Sequence, residues 1–239
     1  TRGLVPAIEA ADAMTTGNLN VAIGKSALGS ETIGISTVAI GDNAGAAQVF
    51  GSNGTTYNTL VGSSAGFWNV TGTANTYIGS QAGVGVSGNS NSNNTGVGVS
   101  ALAGITTGGY NTTLGKNAGM AITSANYNTF VGAWCGDAVT NEGYNTAMGF
   151  QSFSAGGASS HTVAMGYQAG KDITDGDGNT IIGAGAGTNV DTGPRNIIIG
   201  QSAGSTIENG EQNIIIGHGA DVNSTAGSNR IGIGYNVVV

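Results

Sequence analysis

Short bursts of alternating polar and aliphatic residues return along the chain at a fixed interval. Each burst has the form Asn-Thr-x-aliphatic-Gly, as in Asn58-Thr59-Leu60-Val61-Gly62, Asn111-Thr112-Thr113-Leu114-Gly115 and Asn196-Ile197-Ile198-Ile199-Gly200. The closing glycines are Gly24, Gly41, Gly62, Gly79, Gly98, Gly115, Gly132, Gly149, Gly166, Gly183, Gly200, Gly217 and Gly234. Their spacings are 17, 21, 17 and 19, and then 17 throughout. A short fixed period is the signature of a solenoid, in which each repeat is one turn stacked on the last.

With the Asn as position 1, position 2 is Val, Thr or Ile, position 4 is aliphatic or Met, and position 5 is Gly. Positions 2 and 4 share one face of a strand because side chains alternate. The regular aliphatic column at position 4, including Ile182, Ile199 and Ile216, is expected to be buried throughout. Glycine at position 5 permits a corner. Position 8 is Ala in ten turns, with Cys135 and Ser152 as replacements, which suits a tight interior corner. Position 12 is apolar in most regular turns (Ile105, Ile122, Val139, Ile173, Val190, Ile207) and is expected to form a second strand that closes the turn.

A helix does not fit. Each Gly costs about 1 kcal/mol in a helix relative to Ala, and a spacing of two matches strand rather than the 3.6-residue period. The expected fold is all-β: a parallel β-solenoid of about 13 turns, with successive turns about 4.8 Å apart in a rod on the order of 60 Å long. The Asn column is expected to pass amide hydrogen bonds from turn to turn.

Position 3 faces opposite to positions 2 and 4. In a lone rod it should be polar, yet it reads Leu60, Tyr77, Phe130, Ile181, Ile198 and Ile215 in six of the turns. Strands apolar on both sides are buried on both sides, and an apolar stripe along a rod marks an interface. These six residues are therefore the expected oligomer interface; three chains around one axis would bury it, and a dimer or packing by another domain is the alternative. Ile198→Asp is expected to dissociate or unfold that assembly.

Composition narrows the function. Of 239 residues, 8% are charged and the net charge is −7, which disfavours nucleic acid or an anionic membrane as partner. The single cysteine excludes an intrachain disulfide, and its place in the Ala column reads as a small buried hydrophobe. No apolar run approaches 18 residues, so membrane insertion is not expected. Residues 1–17 read as an N-terminal connector, helix-compatible over Leu4 to Met14. Residues 18–234 form the repeat domain, and residues 235–239 are a C-terminal end that breaks off mid-strand, as in a processed chain or a fragment. Turn 2 carries four extra residues within Ala46–Tyr57 and turn 4 two within Val84–Asn93.

Candidate chemistry is sparse. His161 and His218 are isolated, no catalytic arrangement or phosphate loop stands out, and no enzyme or cofactor is expected. Asp172, Asp175 and Asp177, with Asn179, offer oxygen ligands suited to calcium, although such residues also favour tight turns. The segments around the two insertions should place Phe50, Tyr57, Phe67 and Trp68 in one patch. With Trp134, these are candidate receptor contacts, because exposed aromatics stack on sugar rings or anchor protein partners. Tyr110, Tyr127 and Tyr144, followed by His161, should stack as an aromatic ladder.

The units Val21-Ala22-Ile23-Gly24-Lys25-Ser26-Ala27 and Val38-Ala39-Ile40-Gly41-Asp42-Asn43-Ala44 resemble the head repeats of trimeric autotransporter adhesins, which are trimeric parallel β-rolls. The Asn-Thr-x-aliphatic-Gly-x-x-Ala-Gly form is similar to repeats of bacteriophage tail-fibre and receptor-binding proteins. The resemblance covers about residues 18–234. It implies a homotrimeric rod in a virion tail fibre, attached to other virion proteins and binding a host surface glycan or protein receptor. The alternative it implies is a bacterial surface adhesin or extracellular filament subunit. A third reading, an ice-binding solenoid, comes from the column Thr59, Thr76, Thr95, Thr112, Thr129 and Thr146. Sharing its face with the aliphatic column, that column is expected to lie inside, which counts against ice.

Overall fold

The computed structural model describes residues 9–51, 54–155 and 157–239. Thirteen strands of three residues, from Val21–Ile23 to Ile231–Ile233, form one parallel sheet in sequence order. Each strand pairs with the next in unshifted register, so that Thr112, Thr113 and Leu114 stand opposite Thr129, Phe130 and Val131. Turns are numbered here by their strands. The β-solenoid expected from the period is therefore present, and no helix occurs among the described residues.

The two faces of the sheet are the reverse of the expectation. Position 3 points inward: Leu60, Tyr77, Phe130, Ile181, Ile198 and Ile215 are all 0% exposed within a single chain. They cannot form an interface between chains. Positions 2 and 4 point outward, with Ile78, Leu114, Met148, Ile182 and Ile233 exposed and Ile199 and Ile216 half-buried. The alternation was right and its sign wrong, because a three-residue strand with apolar residues on both faces carries no marker of which face is inner.

The physical reason lies in a second column. Position 9 is also interior, and its size compensates position 3 of the same turn. Large residues at position 3 (Leu60, Tyr77, Phe130, Ile181, Ile198) meet Gly66, Gly83, Gly136, Gly187 and Gly204. A Cβ added to Gly83 would lie 2.3 Å from the Tyr77 ring, and one on Gly136 would lie 2.4 Å from Phe130. Small residues at position 3 (Ala22, Gly96, Ala147) are matched by Leu28, Leu102 and Phe153. In these turns only one of the two positions is large; in turns 2 and 9 both are small (Ala39 with Gly45, Ala164 with Gly170), and Leu28 and Leu60 or Ile181 of the adjacent turns reach toward the space, which keeps the interior closely packed.

The expected second strand at position 12 does not form. Ile105, Ile122, Val139, Ile173, Val190 and Ile207 are buried, but on irregular backbone, and outside the main sheet only isolated bridges such as Ile35 with Thr55 are found. Positions 7 and 9 both adopt left-handed backbone, as at Ser26 (φ 53°) and Leu28 (φ 52°). Two such residues so close together curl the chain faster than a strand allows. In turns 1 to 3 position 12 is a buried polar residue: Glu31, Gln48 and Asn69. The Glu31 carboxylate accepts the backbone N–H groups of Thr32, Ile33 and Gly34 at 2.7–3.1 Å, and Gln48 Nε2 donates to it at 3.1 Å. These bonds offset the cost of burying the charge.

The asparagine column does run as a ladder. Asn111 accepts at Oδ1 from the backbone N–H of Asn128 (3.0 Å) and from Asn128 Nδ2 (3.2 Å), and Asn128 Oδ1 accepts from Asn145 N at 3.0 Å. Asn128 Nδ2 also donates to Glu142 O, tying the strand to the far side of its own turn. Thus each buried amide closes one turn and joins it to the next.

Residues 1–8 of the expected connector lie outside the described residues. Residues 9–14 are turns, not helix. Ala11 N donates to Ala27 O and Thr15 N to Thr32 O, both at 2.8 Å, and Glu9 and Ala11 repeat the left-handed backbone of positions 7 and 9. The stack therefore starts before the first strand.

The corner glycines allow a sharp test. Gly132 has φ +138°, and a Cβ there would stand 2.4 Å from Gly149 O; around Gly51 a Cβ would meet nothing within 4 Å. Gly132→Ala is expected to destabilise the chain by roughly 3 kcal/mol and Gly51→Ala to be near neutral, as read by denaturant unfolding.

Candidate functional surfaces

The outward sheet face runs along all thirteen turns. Positions 2 and 4 of all thirteen turns supply it, and each is Val, Ile, Leu, Met or Thr, with no charged residue. Parallel pairing in unshifted register makes the columns straight. Thr occupies position 2 in turns 3 to 8 and again in turn 10, whereas turns 11 to 13 carry Ile197, Ile214 and Ile231. The threonines thus lie on the outer face, not in the interior as expected.

Aromatic residues precede the strands in turns 6 to 9 and also follow them in turns 8 and 9. On the entry side Tyr110, Tyr127, Tyr144 and His161 stack as expected, with ring centroids 5.0–5.1 Å apart. On the exit side Phe150 stacks on Tyr167 at 5.9 Å, and further along His218 stacks on Tyr235 at 5.3 Å. The two exit-side stacks were not anticipated; position 6 of adjacent turns holds their residues and was the signal for them. Tyr110, Tyr127 and Tyr144 take φ of 59–63°, a conformation costly for a bulky side chain, which the stacking and the repeated backbone bonds hold in place.

The expected aromatic patch is only partly assembled. Phe67 and Trp68 meet edge to face at 4.5 Å, and Trp68 is exposed. They stand above a shallow groove of about 330 Å³ floored by Gly29, Ser30, Ala46 and Ala47, with Glu9 and Asp12 at its other end. Tyr57 is exposed in the column of the tyrosine ladder, at the strand's entry, and Phe50 is half-buried with its N–H on Glu31 Oε1 at 3.4 Å. Trp134 is half-buried beneath the Lys116 ammonium, 5.9 Å from the ring centroid.

In the acidic turn one oxygen of each aspartate has a partner within the protein. Asp175 Oδ1 accepts from Ala158 N at 3.3 Å, Asp177 Oδ1 accepts from Ser160 N at 2.6 Å, and Asp172 lies 3.9 Å from the Lys171 ammonium. Asn179 is buried in the amide ladder. Among the described residues no group of three or more His, Cys, Asp or Glu is arranged to hold a metal ion. Cys135 is buried, and burial pushes its thiol up to about 12. Asp137, close by, is also raised by burial, and its Oδ1 has no hydrogen-bond partner among the described residues. No helix among the described residues is long and apolar enough to cross a membrane. Compared with family models, curated proteins and solved structures, the chain shows no match.

Proposed function

We propose that the chain is the rod of an adhesive fibre, assembled as a parallel homotrimer through the outward sheet face and carrying its contacts on the flanks. The observation behind this reading is that face: uncharged and continuous over thirteen turns. At about 4.8 Å per turn and roughly 10 Å across three residues it spans on the order of 600 Å² of plane. Apolar patches of that size mark interaction sites. The segregation of Thr and Ile ranks favours parallel chains, because each rung then meets its own copies and hydroxyls meet hydroxyls. Two chains packed face to face in opposite directions would set Thr59 against Ile197.

A fibre of this kind works passively. A stiff rod repeats its flank residues in three copies, and simultaneous weak contacts to a host surface glycan or protein receptor add up to avidity. The virion tail fibre and the bacterial surface adhesin both use this physics. The repeat form, complete in turns 3, 4, 6 and 10, supports the virion reading, with other virion proteins at the ends of the rod. The test is binding of the labelled rod to a panel of bacterial cells and glycans. Binding is expected to fall at least about tenfold when Trp68 and Trp134 are replaced by Ala, since exposed aromatic anchors dominate such contacts. A rod that binds none of the cells or glycans is a spacer instead.

One observation favours a second reading. Six successive outward threonines, Thr59 to Thr146, beside an aliphatic column form a regular array of hydroxyls and methyls suited to ice. The two readings exclude each other on one face, because a trimer hides the array. Thermal hysteresis from a monomeric chain would establish the ice reading.

A further inference from the structure

The residue just before the Asn is Tyr110, Tyr127, Tyr144 and His161 in turns 6 to 9, and then Gly178 and Arg195 in turns 10 and 11. The backbone does not change at Gly178. His161 N donates to Gly143 O, Gly178 N to Ser160 O and Arg195 N to Asp177 O, and φ is 59°, 70° and 58° in turn. The ladder therefore continues through this turn with one side chain missing. A Cβ placed on Gly178 meets nothing within 4 Å except Arg195 Cγ at 3.7 Å, an ordinary contact. Gly178 leaves the rung next to the exposed His161 without a side chain of its own, and Arg195 belongs to the rung after it, its backbone about 10 Å from that of His161 along the stack.

We propose that this missing rung is a binding slot for a planar aromatic ring, held between the His161 imidazole and the Arg195 guanidinium. The ladder itself shows that rings are accommodated at one rung spacing, 5.0–5.1 Å from centroid to centroid. A guanidinium is flat, weakly hydrated and attracted to the face of a π system. The ligand must therefore offer π density on one side and a flat stacking surface on the other. A phenol or an aromatic side chain meets both demands; a pyranose has no π face for the arginine. His161, Gly178 and Arg195 are all exposed, so the ring enters edge-on and its outer edge stays in water. This suits a ring carried at the end of a longer molecule. The inference does not depend on the assembly or on the fibre reading.

The experiment uses p-cresol as probe and methyl α-glucopyranoside as the competing sugar, on the full chain. The shift of the His161 ring C–H resonance is followed by NMR; His218→Gln assigns the two histidines. Saturable perturbation of His161 by p-cresol at millimolar concentration, with none by the glucoside, is expected. Gly178→Tyr fills the slot from within and should weaken the cresol response at least tenfold. The fold should survive, because tyrosine already takes φ near 60° at three rungs of the same column. Arg195→Ala should weaken it several-fold while leaving circular dichroism unchanged. An equal response in Gly178→Tyr, an unperturbed His161, or an equal response to the glucoside would each overturn the proposal.

Discussion

Phe130→Asp is expected to break the rod into two weakly joined halves. Phe130 lies in the seventh of thirteen strands, fully buried, with its ring over Gly136 and 6.3 Å from the ring of Phe153. Truncating a buried Phe costs about 3–5 kcal/mol. An unpaired carboxylate in the same place adds several kcal/mol more or takes up a proton. In a stack of repeats each turn touches only its neighbours, so the loss acts on the junctions of turn 7 with turns 6 and 8. Unfolding by heat or denaturant should lose its single transition, and hydrogen exchange should show turns 6 to 8 opening first. The adjacent residue in the strand, Val131, faces outward, and its replacement by Asp should keep a single unfolding transition and should not make turns 6 to 8 open before the rest of the rod. Similar destabilisation by the two substitutions would mean that the faces of the sheet are not distinct.

This pair of neighbours also shows how far the sequence could be read. The period, the strands, the glycine corners and the amide ladder all follow from columns that are chemically uniform, because identical turns must repeat identical backbone hydrogen bonds. The direction of each face does not follow from uniformity. The regular column at position 4 lies on the outer face, and the irregular column at position 3 lies inside, where in several turns its size is matched by position 9. Tyr77 with Gly83 and Gly96 with Leu102 carry that match in plain view, and comparing the two columns turn by turn would have revealed the interior. The tyrosine ladder was legible because its residues fall in one column. The left-handed backbone at Leu28, Leu102 and Phe153 left no trace, since nothing in an isolated Leu or Phe announces it.

Val131→Asp should leave the fold intact and abolish the assembly. Val131 is half-buried at the middle of the outward face, between Leu114 and Met148 in the same column. In a parallel trimer its three copies meet near the axis, so three carboxylates would enter a seam that otherwise holds no charge. Like charges at such separation repel, and desolvating each one costs several kcal/mol. Against this, the seam gains about 25 cal/mol per Å² of apolar surface removed from water. With on the order of 600 Å² over thirteen turns, each rung contributes about 1 kcal/mol per chain, so one unfavourable rung outweighs the gain of several neighbouring rungs. Light scattering should give the mass of three chains for the wild type and of one for the variant, with circular dichroism unchanged. Lys25, already charged and on the exit flank of the face in turn 1, serves as the control, and Lys25→Asp should leave the mass at three chains. A wild-type chain that scatters as a monomer would remove the trimer and leave the threonine face open to water. A Val131→Asp chain that remains trimeric would move the seam to another side of the rod.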